Sequence, residues 1–422
     1  MPDRRPDAVH AASDAELARV VREESAFIVA ALARAFGDLD LAEESVAGAV
    51  EAALREWRAR GVPPNPGAWL TTAARHDALD RLRRERRQRE RIALIASDLR
   101  SAAQGGRAQG GSAPGTGSDG VDERMPLLFG CCHPALAAAA QLALTLRAVV
   151  GLTTEQIARA TLEPKATVAQ RIVRAKRKIA ASGIPLRVPE GEERTTRLGL
   201  VLTVISVMYD AAHLRPGADA SADRDLADDA LWLAEVVSAA LPGDAEAHGL
   251  VALLRFHRAR ERARAVGGAL VPLGEQDRSR WDRADLAAAH RALERAAALR
   301  APGRWQLHAA IAACHADAAA AADTDWPQIL VLYDLLLAHD AGPVVRLNRA
   351  VALAEVAGPG AGLEELDALR PRLDGHRLWH AVRAELLRRT GREAEAREAD
   401  VRARELADND AERRLLDARL RG

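Results

Sequence analysis

The chain has 422 residues, 48% apolar but only 3% aromatic; that length implies two or three domains, and cores poor in rings must be built from Ala, Leu and Val, which favours close-packed helices. Its 60 Lys and Arg balance 60 Asp and Glu, which excludes bulk charge-driven coating of nucleic acid while leaving room for a contact made by segregated cations. Three cysteines, two of them adjacent, exclude a disulfide framework; with no signal peptide and no run apolar enough to span a bilayer, the expected site is the cytoplasm, without membrane contact.

Residues 1–14 read as a disordered tail and 15–97 as a first helical domain. Within it Asp38, Asp40, Glu43, Glu44, Glu51 and Glu56 alternate with apolar residues, the pattern of an amphipathic helix with an acidic outer face. Arg58–Asn65, RARGVPPN, is a proline-stiffened loop. Asn65–Pro66 then supplies a cap followed by proline at the first helical position. Ala68, Trp69, Leu70, Ala73, Ala74, Leu79 and Leu82 form the apolar side of the helix it starts, with Arg75, Arg81, Arg83, Arg84, Arg86 and Arg87 on its other faces. Trp69 reads first as a core residue. His76, one turn beyond Thr72, reads from the residues alone as an ordinary exposed histidine.

Residues 98–121 are rich in Gly, Ser, Ala and Gln without periodicity. They read as a flexible linker, with a reach of about 27 Å as a coil. A second compact helical domain is expected over 122–186. Cys131–Cys132–His133 near its start invites a metal reading, but adjacent cysteines chelate one ion poorly and Cys314 stands alone. Buried thiols are therefore expected, with no metal and no cofactor.

The densest information lies in Gly151–Ile179, GLTTEQIARATLEPKATVAQRIVRAKRKI. Thr153 and Gln156 have capping-box spacing, Ile157 and Ala158 face inward, Pro164 breaks the chain, and Thr167 is expected to cap the next helix. Val168, Ile172, Ala175 and Ile179 then form one buried stripe. Lys165, Gln170, Arg171, Arg174, Lys176, Arg177 and Lys178 occupy the other faces, and no acid occurs between Lys165 and Lys178. This is a helix-turn-helix pattern. Its second helix is either a solvated charged face or, as the missing acids favour, a helix laid in a DNA major groove.

Residues 187–422 alternate helical stretches with Pro/Gly/Asp breaks such as Leu241–Asp244, Asp340–Pro343 and Thr390–Gly391. Leu378–Arg414 has a tetratricopeptide look, but no strict period runs through the region, so a degenerate repeat-like stack is expected. Gln276, Asp277, Arg278, Arg280, Trp281 and Asp282 form its densest polar cluster. They read as a network that fixes or docks the extension's helices, against a catalytic or anion site. The fold class expected is all-α: two small helical domains, the second with the helix-turn-helix, joined by a flexible linker and followed by the repeat-like extension.

The chain resembles extracytoplasmic-function RNA polymerase sigma factors of the sigma-70 family, in the subgroup with a long helical C-terminal extension. The resemblance is carried by GDLDLAEESVAGAVEAALREW (Gly37–Trp57), PPNPGAWLTTAARHDALDRLRRERR (Pro63–Arg87), LLFGCCHPALAAAAQLALTLRAVVGLTTEQIA (Leu127–Ala158) and ATVAQRIVRAKRKI (Ala166–Ile179). In the extension it is carried by EQDRSRWDRADL (Glu275–Leu286), TDWPQILVLYDLLL (Thr324–Leu337) and GPVVRLNRAVALAEVAGP (Gly342–Pro359). The sequence departs from the family at Gly48 and Val50, where such factors often carry Gln and an aromatic, at Thr161 and Glu163 in the turn, and at Tyr209–His213.

The resemblance implies that 15–97 is sigma region 2 and 122–186 sigma region 4, bridged by a linker that threads the polymerase. Asp38, Asp40, Glu43, Glu44 and Glu51 would meet the clamp helices of the largest polymerase subunit, and region 4 the flap of the second-largest. Arg58, Arg60, Asn65, Thr72, His76, Arg83 and Arg84 would serve the −10 element, with the loop receiving a flipped base at a cost of a few kcal/mol. Thr167, Gln170, Arg171 and Arg174 would read the −35 element, and Lys165, Lys176 and Lys178 would hold phosphates. Gln276, Asp277, Arg278, Arg280 and Trp281 would dock the extension, whose own regulatory partner is unknown. No catalytic residue is expected, because the polymerase supplies the chemistry. Two other readings remain at this level: a helix-turn-helix regulator with a helical sensor domain acting without polymerase, and an enzyme centred on Gln276–Asp282.

Overall fold

The computed structural model describes residues 5–98, 124–161, 163–213, 220–266, 269–407 and 410–421. These fall into two compact units, Met1–Val204 and Ile205–Gly422. The division falls within one helix. Residues 99–121 of the expected linker lie outside the described residues.

The first unit begins with α1 (Arg5–Phe36), α2 (Leu39–Arg60) and α3 (Pro66–Asp98). α1 takes in Arg5–Asp14, so most of the expected tail is helical. The three helices pack on one another through small residues: Ala33, Ala42, Ala49, Ala53, Ala74 and Ala78 are essentially inaccessible. Alanine gives up no side-chain entropy on burial and lets helix axes approach closely. α4 (Arg124–Cys131), α5 (Ala138–Ala148), α6 (Thr154–Thr161) and α7 (Lys165–Ala181) follow. Leu128, Phe129, Leu144, Ile157 and Val168 form the core of this second group, each fully buried. α1 packs against α4, so the two helical groups share one unit.

α8 (Gly191–His213) crosses the division. The second unit continues through α9 (Ala220–Ala240), α10 (Ala245–Ala259), α11 (Glu261–Arg264), α12 (Arg283–Ala298) and α13 (Arg304–Asp317), then α14 (Trp326–Leu336), α15 (Pro343–Ala357), α16 (Pro359–Leu373), α17 (Arg377–Arg389), α18 (Glu393–Glu405) and α19 (Asp410–Arg421). Among the described residues the sole sheet is a two-residue antiparallel pair, β1 (Ala265–Val266) with β2 (Ala269–Leu270). The all-α expectation therefore holds.

α10 is the hub of its half of this unit, packing on α12 and α13. A Cβ on Gly249 would lie 2.5 Å from the backbone nitrogen of Gln306, so the α10–α13 crossing needs a residue with no side chain there. Farther along, α15/α16 and α17/α18 are helical hairpins. Leu347, Leu366, Trp379, Leu387 and Ala396 share one core, and the Trp379 indole donates to the Leu366 carbonyl at 2.8 Å. The expected turn at Thr390–Gly391–Arg392 joins α17 to α18.

Candidate nucleic-acid interface

α6 and α7 are built as the sequence implies. The Thr153 backbone donates to Gln156 Oε1 at 2.8 Å and the Gln156 backbone donates to Thr153 Oγ1 at 3.2 Å, a reciprocal capping box. Val168, Ile172, Ala175 and Ile179 are the buried stripe of α7. Thr167 does not cap that helix. Pro164 is the cap residue, and the Thr167 N–H already donates to the Pro164 carbonyl at 2.9 Å. Thr167 therefore stands exposed on the first turn.

The polar side chains of α7 divide into free and engaged groups. Gln170 and Arg174 are exposed and touch each other, Arg174 Nη2 donating to Gln170 Oε1 at 3.0 Å. Arg177 is exposed on the same helix. Lys165 reaches Glu155 at 3.3 Å, and Lys178 donates to the Ala135 carbonyl. Arg171 is clasped by Glu163, one contact measuring 2.7 Å. That hydrogen bond is the main reason the Glu163 carboxyl sits below its ordinary range and the Arg171 guanidinium above its own. Glu163 stands in the turn where the family usually prefers an apolar residue, so the departure has a partner.

Lys176 faces the other way. Its side chain is only 11% exposed. Its ammonium donates to Asp40 at 2.8 Å and to Glu43 at 2.9 Å, with Arg147 3.9 Å from Glu43. Burial opposes the charge, but the two carboxylates outweigh it and raise the lysine above its usual value. Two acids assigned to polymerase docking and one lysine assigned to DNA thus meet inside the first unit.

The remaining acids of α2 have separate places. Asp38 caps the helix, accepting the Leu41 N–H at 3.0 Å. Glu44 and Asp77 both hold Arg81, at 2.6 and 2.5 Å, and Glu51 is exposed. A Cβ on Gly48 already sits 3.1 Å from the Asp77 carboxylate. The bulkier glutamine common at that point would crowd the Asp77–Arg81 network.

Asn65 Oδ1 accepts the Ala68 N–H at 3.1 Å, so the Asn–Pro start of α3 is a true cap. Thr72, His76, Arg83 and Arg84 are exposed along α3. Thr72 and His76 share a face one turn apart, and Arg83 continues it two turns on. Thr72 Oγ1 donates to the Ala68 carbonyl at 2.9 Å, Arg83 lies 3.3 Å from Asp80, and Arg84 donates to the Asp80 carbonyl at 3.2 Å. Arg58 pairs with Asp14 at 2.5 Å and Arg60 lies 4.0 Å from Glu56. Trp69 is half-buried and packs edge-on to the buried Trp57, centroids 5.7 Å apart. The loop is therefore bracketed by two tryptophans.

Cys131 and Cys132 are fully buried. Burial pushes the Cys131 thiol well up and Cys132 to about 12, so both remain protonated thiols. No group of three or more His, Cys, Asp or Glu suited to a metal occurs among the described residues. No helix of the described chain is long and apolar enough to cross a membrane.

In the second unit the Gln276–Trp281 cluster makes internal bonds. Asp277 accepts the Ser279 N–H at 3.0 Å and its hydroxyl at 2.6 Å. Gln276 donates to the Val271 carbonyl at 3.1 Å. Arg278 donates to the carbonyls of His315 and, at 2.9 Å, Ala318, and lies 4.8 Å from the Trp281 ring centre. Arg280 is exposed. These bonds tie a turn to α13, nearly forty residues away.

Residues 127–179, the span from α4 through the buried stripe of α7, match the family described as sigma-70, region 4. Residues 197–297 match a family of unknown function, DUF6596. An uncharacterized protein of Rhizobium meliloti (strain 1021), R00370, is 39% identical over 383 residues, covering 90% of each chain. No solved structure matches.

Proposed function

We propose that this chain, which belongs to the same family as the Rhizobium meliloti protein and carries a sigma-70 region 4 domain, is an alternative sigma factor of the extracytoplasmic-function type. It binds core RNA polymerase, recognises −35 and −10 elements and promotes initiation, and its C-terminal tetratricopeptide-like extension modulates that activity in cis. The observation that carries the reading is α7: a helix with one buried stripe and an outer side that bears Gln170, Arg174 and Arg177 but no acid. Such a side suits a major groove, where Arg and Gln make bidentate contacts with base edges.

The second support is α3. Thr72, His76 and Arg83 form an exposed row that follows a loop stiffened by Pro63 and Pro64, and a pre-set loop loses less entropy in ordering around a flipped base. Asn65 is committed to capping α3, so base contact by its side chain would cost the helix a cap. Asp40 and Glu43 are held by Lys176. Polymerase docking through that acidic face therefore requires α7 to leave it, which would free Lys176 for phosphate. The extension's role is proposed from its size, 187–422, and is tested by ending the chain after Pro189: unchanged output and promoter choice would sink it.

The direct test is transcription from fragmented genomic DNA by sigma-free core polymerase with and without this protein. Discrete new starts sharing two upstream elements are expected. An unchanged start pattern, with tight binding to duplex DNA in the absence of polymerase, would establish a regulator acting without polymerase.

A further inference from the structure

The buried stripe of α7 leaves out one large apolar side chain among the described residues. Val173 is 45% exposed, on a helix whose other exposed side chains larger than alanine are Lys165, Thr167, Gln170, Arg174, Arg177 and Lys178. Gln170 stands three residues before it and Arg177 four after, the spacing of neighbours on a helix surface. A lone exposed valine is ordinary on most surfaces. This one lies within the face that carries the base-reading side chains. In a helix valine is held to one χ1 rotamer, so its two methyl groups point in a fixed direction and lose little freedom on contact.

The neighbouring amide is set as well. Arg174 donates to Gln170 Oε1 at 3.0 Å. Arginine has no acceptor, so this contact has to engage the amide oxygen, and it leaves the NH2 group as the donor still unused. Glutamine that reads adenine uses both ends of the amide, the NH2 on N7 and the oxygen on the N6 amino group. With the oxygen held by Arg174, donation is what the amide has to offer. Gln170 and Val173 thus present a donor beside an apolar surface. In the major groove thymine alone shows the complement, an O4 acceptor beside the C5 methyl group. Guanine offers acceptors without a methyl group, and cytosine a donor.

We propose that Gln170 and Val173 together form a thymine-reading site, in which Gln170 Nε2 donates to O4 and Val173 packs on the C5 methyl group of one thymine. The inference rests on the reading of α7 as a major-groove helix and adds to it the base that one pair of side chains selects. It makes Val173 a specificity residue, although neither charge nor polarity marks it. Its contribution is the removal of one methyl group from water, about fourfold in affinity. Unlike a phosphate contact, that contribution is nearly independent of salt.

The test uses duplex DNA selected from a random-sequence pool by the full chain, once alone and once bound to core polymerase. Each thymine of the selected element is replaced in turn by uracil, which removes the methyl group and nothing else. At one thymine the replacement should weaken binding about fourfold. Val173→Ala should weaken binding to the thymine duplex by the same factor and lose the response to uracil at that position. 5-Methylcytosine there keeps the methyl group but turns O4 into an amino donor; it should weaken the parent further, and Gln170→Ala less than the parent. Val173→Ala should melt no lower than the parent, since the side chain is exposed and alanine is the better helix former. Val207→Ala, at an exposed valine of α8, should bind and respond to uracil as the parent does. An element in which no thymine responds to methyl removal overturns the proposal, and so does a response that persists undiminished in Val173→Ala. If the chain selects an element only without polymerase, a positive methyl response there keeps the thymine site and removes the sigma reading. A negative response alongside polymerase-dependent starts does the reverse, and a protein that selects no sequence in either form overturns both.

Discussion

α7 and the α17–α18 hairpin both pair cations with carboxylates, but α7 leaves part of its set, Arg174 and Arg177, exposed without one among the described residues. α7 itself carries no acid; Lys165, Arg171 and Lys176 are paired from neighbouring elements, while Gln170, Arg174 and Arg177 are exposed. On the hairpin Arg383, Arg388, Arg389, Arg392 and Arg402 each hold a carboxylate. Asp400, with a side chain only 1% exposed, is met by Arg388. The difference teaches that the density of charge says little about role. What separates a binding face from scaffolding is whether the countercharge is built in.

Four measurements bear on that contrast. The largest effect should come from breaking the hairpin's deepest pair. Arg388→Met leaves Asp400 buried without its cation and should cost about 3–5 kcal/mol in denaturant unfolding; a loss below about 1 kcal/mol would mean that Asp400 is satisfied in another way. Next is the free face: Arg174→Ala should leave the fold intact but remove about 1–3 kcal/mol of discrimination at one base position, read as promoter competition by the polymerase-bound protein. A uniform loss across all sequences would instead make Arg174 a phosphate contact.

A smaller effect is expected where α7 does have a countercharge. Glu163→Gln releases Arg171, and the slope of log affinity against log salt should steepen by about one if the freed cation finds a phosphate. Acid should do the same reversibly. The folded pKa of Glu163 is lowered by Arg171, so the clasp is intact above the ordinary carboxylate range and is lost as pH falls through the lowered value. An unchanged salt slope in Glu163→Gln would leave Arg171 a turn-fixing residue. Arg402→Gln, at an exposed i,i+3 pair with Glu405, should leave the unfolding midpoint where it was.

Local signals were legible in the sequence, and distant pairings were not. The Thr153–Gln156 box, the Asn65–Pro66 start and the α7 stripe each depend on residues within about one to four turns, which periodicity and capping chemistry reach. Thr167 failed as a cap because Pro164, fixed in φ, had already set the start of the helix three residues earlier. The Lys176 contact with Asp40 and Glu43 joins residues more than 130 apart, beyond any spacing rule.

The pair of indoles at the ends of the Gly61–Asn65 loop has an optical consequence. Trp57 and Trp69 lie 5.7 Å apart at a 70° interplanar angle, close enough for their transitions to couple and give a signed couplet in circular dichroism. The two rings anchor the end of α2 and the start of α3, so any opening of the loop around a base changes their separation or tilt. The protein thus carries its own spectroscopic gauge of loop geometry, one that needs no label and goes silent when either ring is replaced.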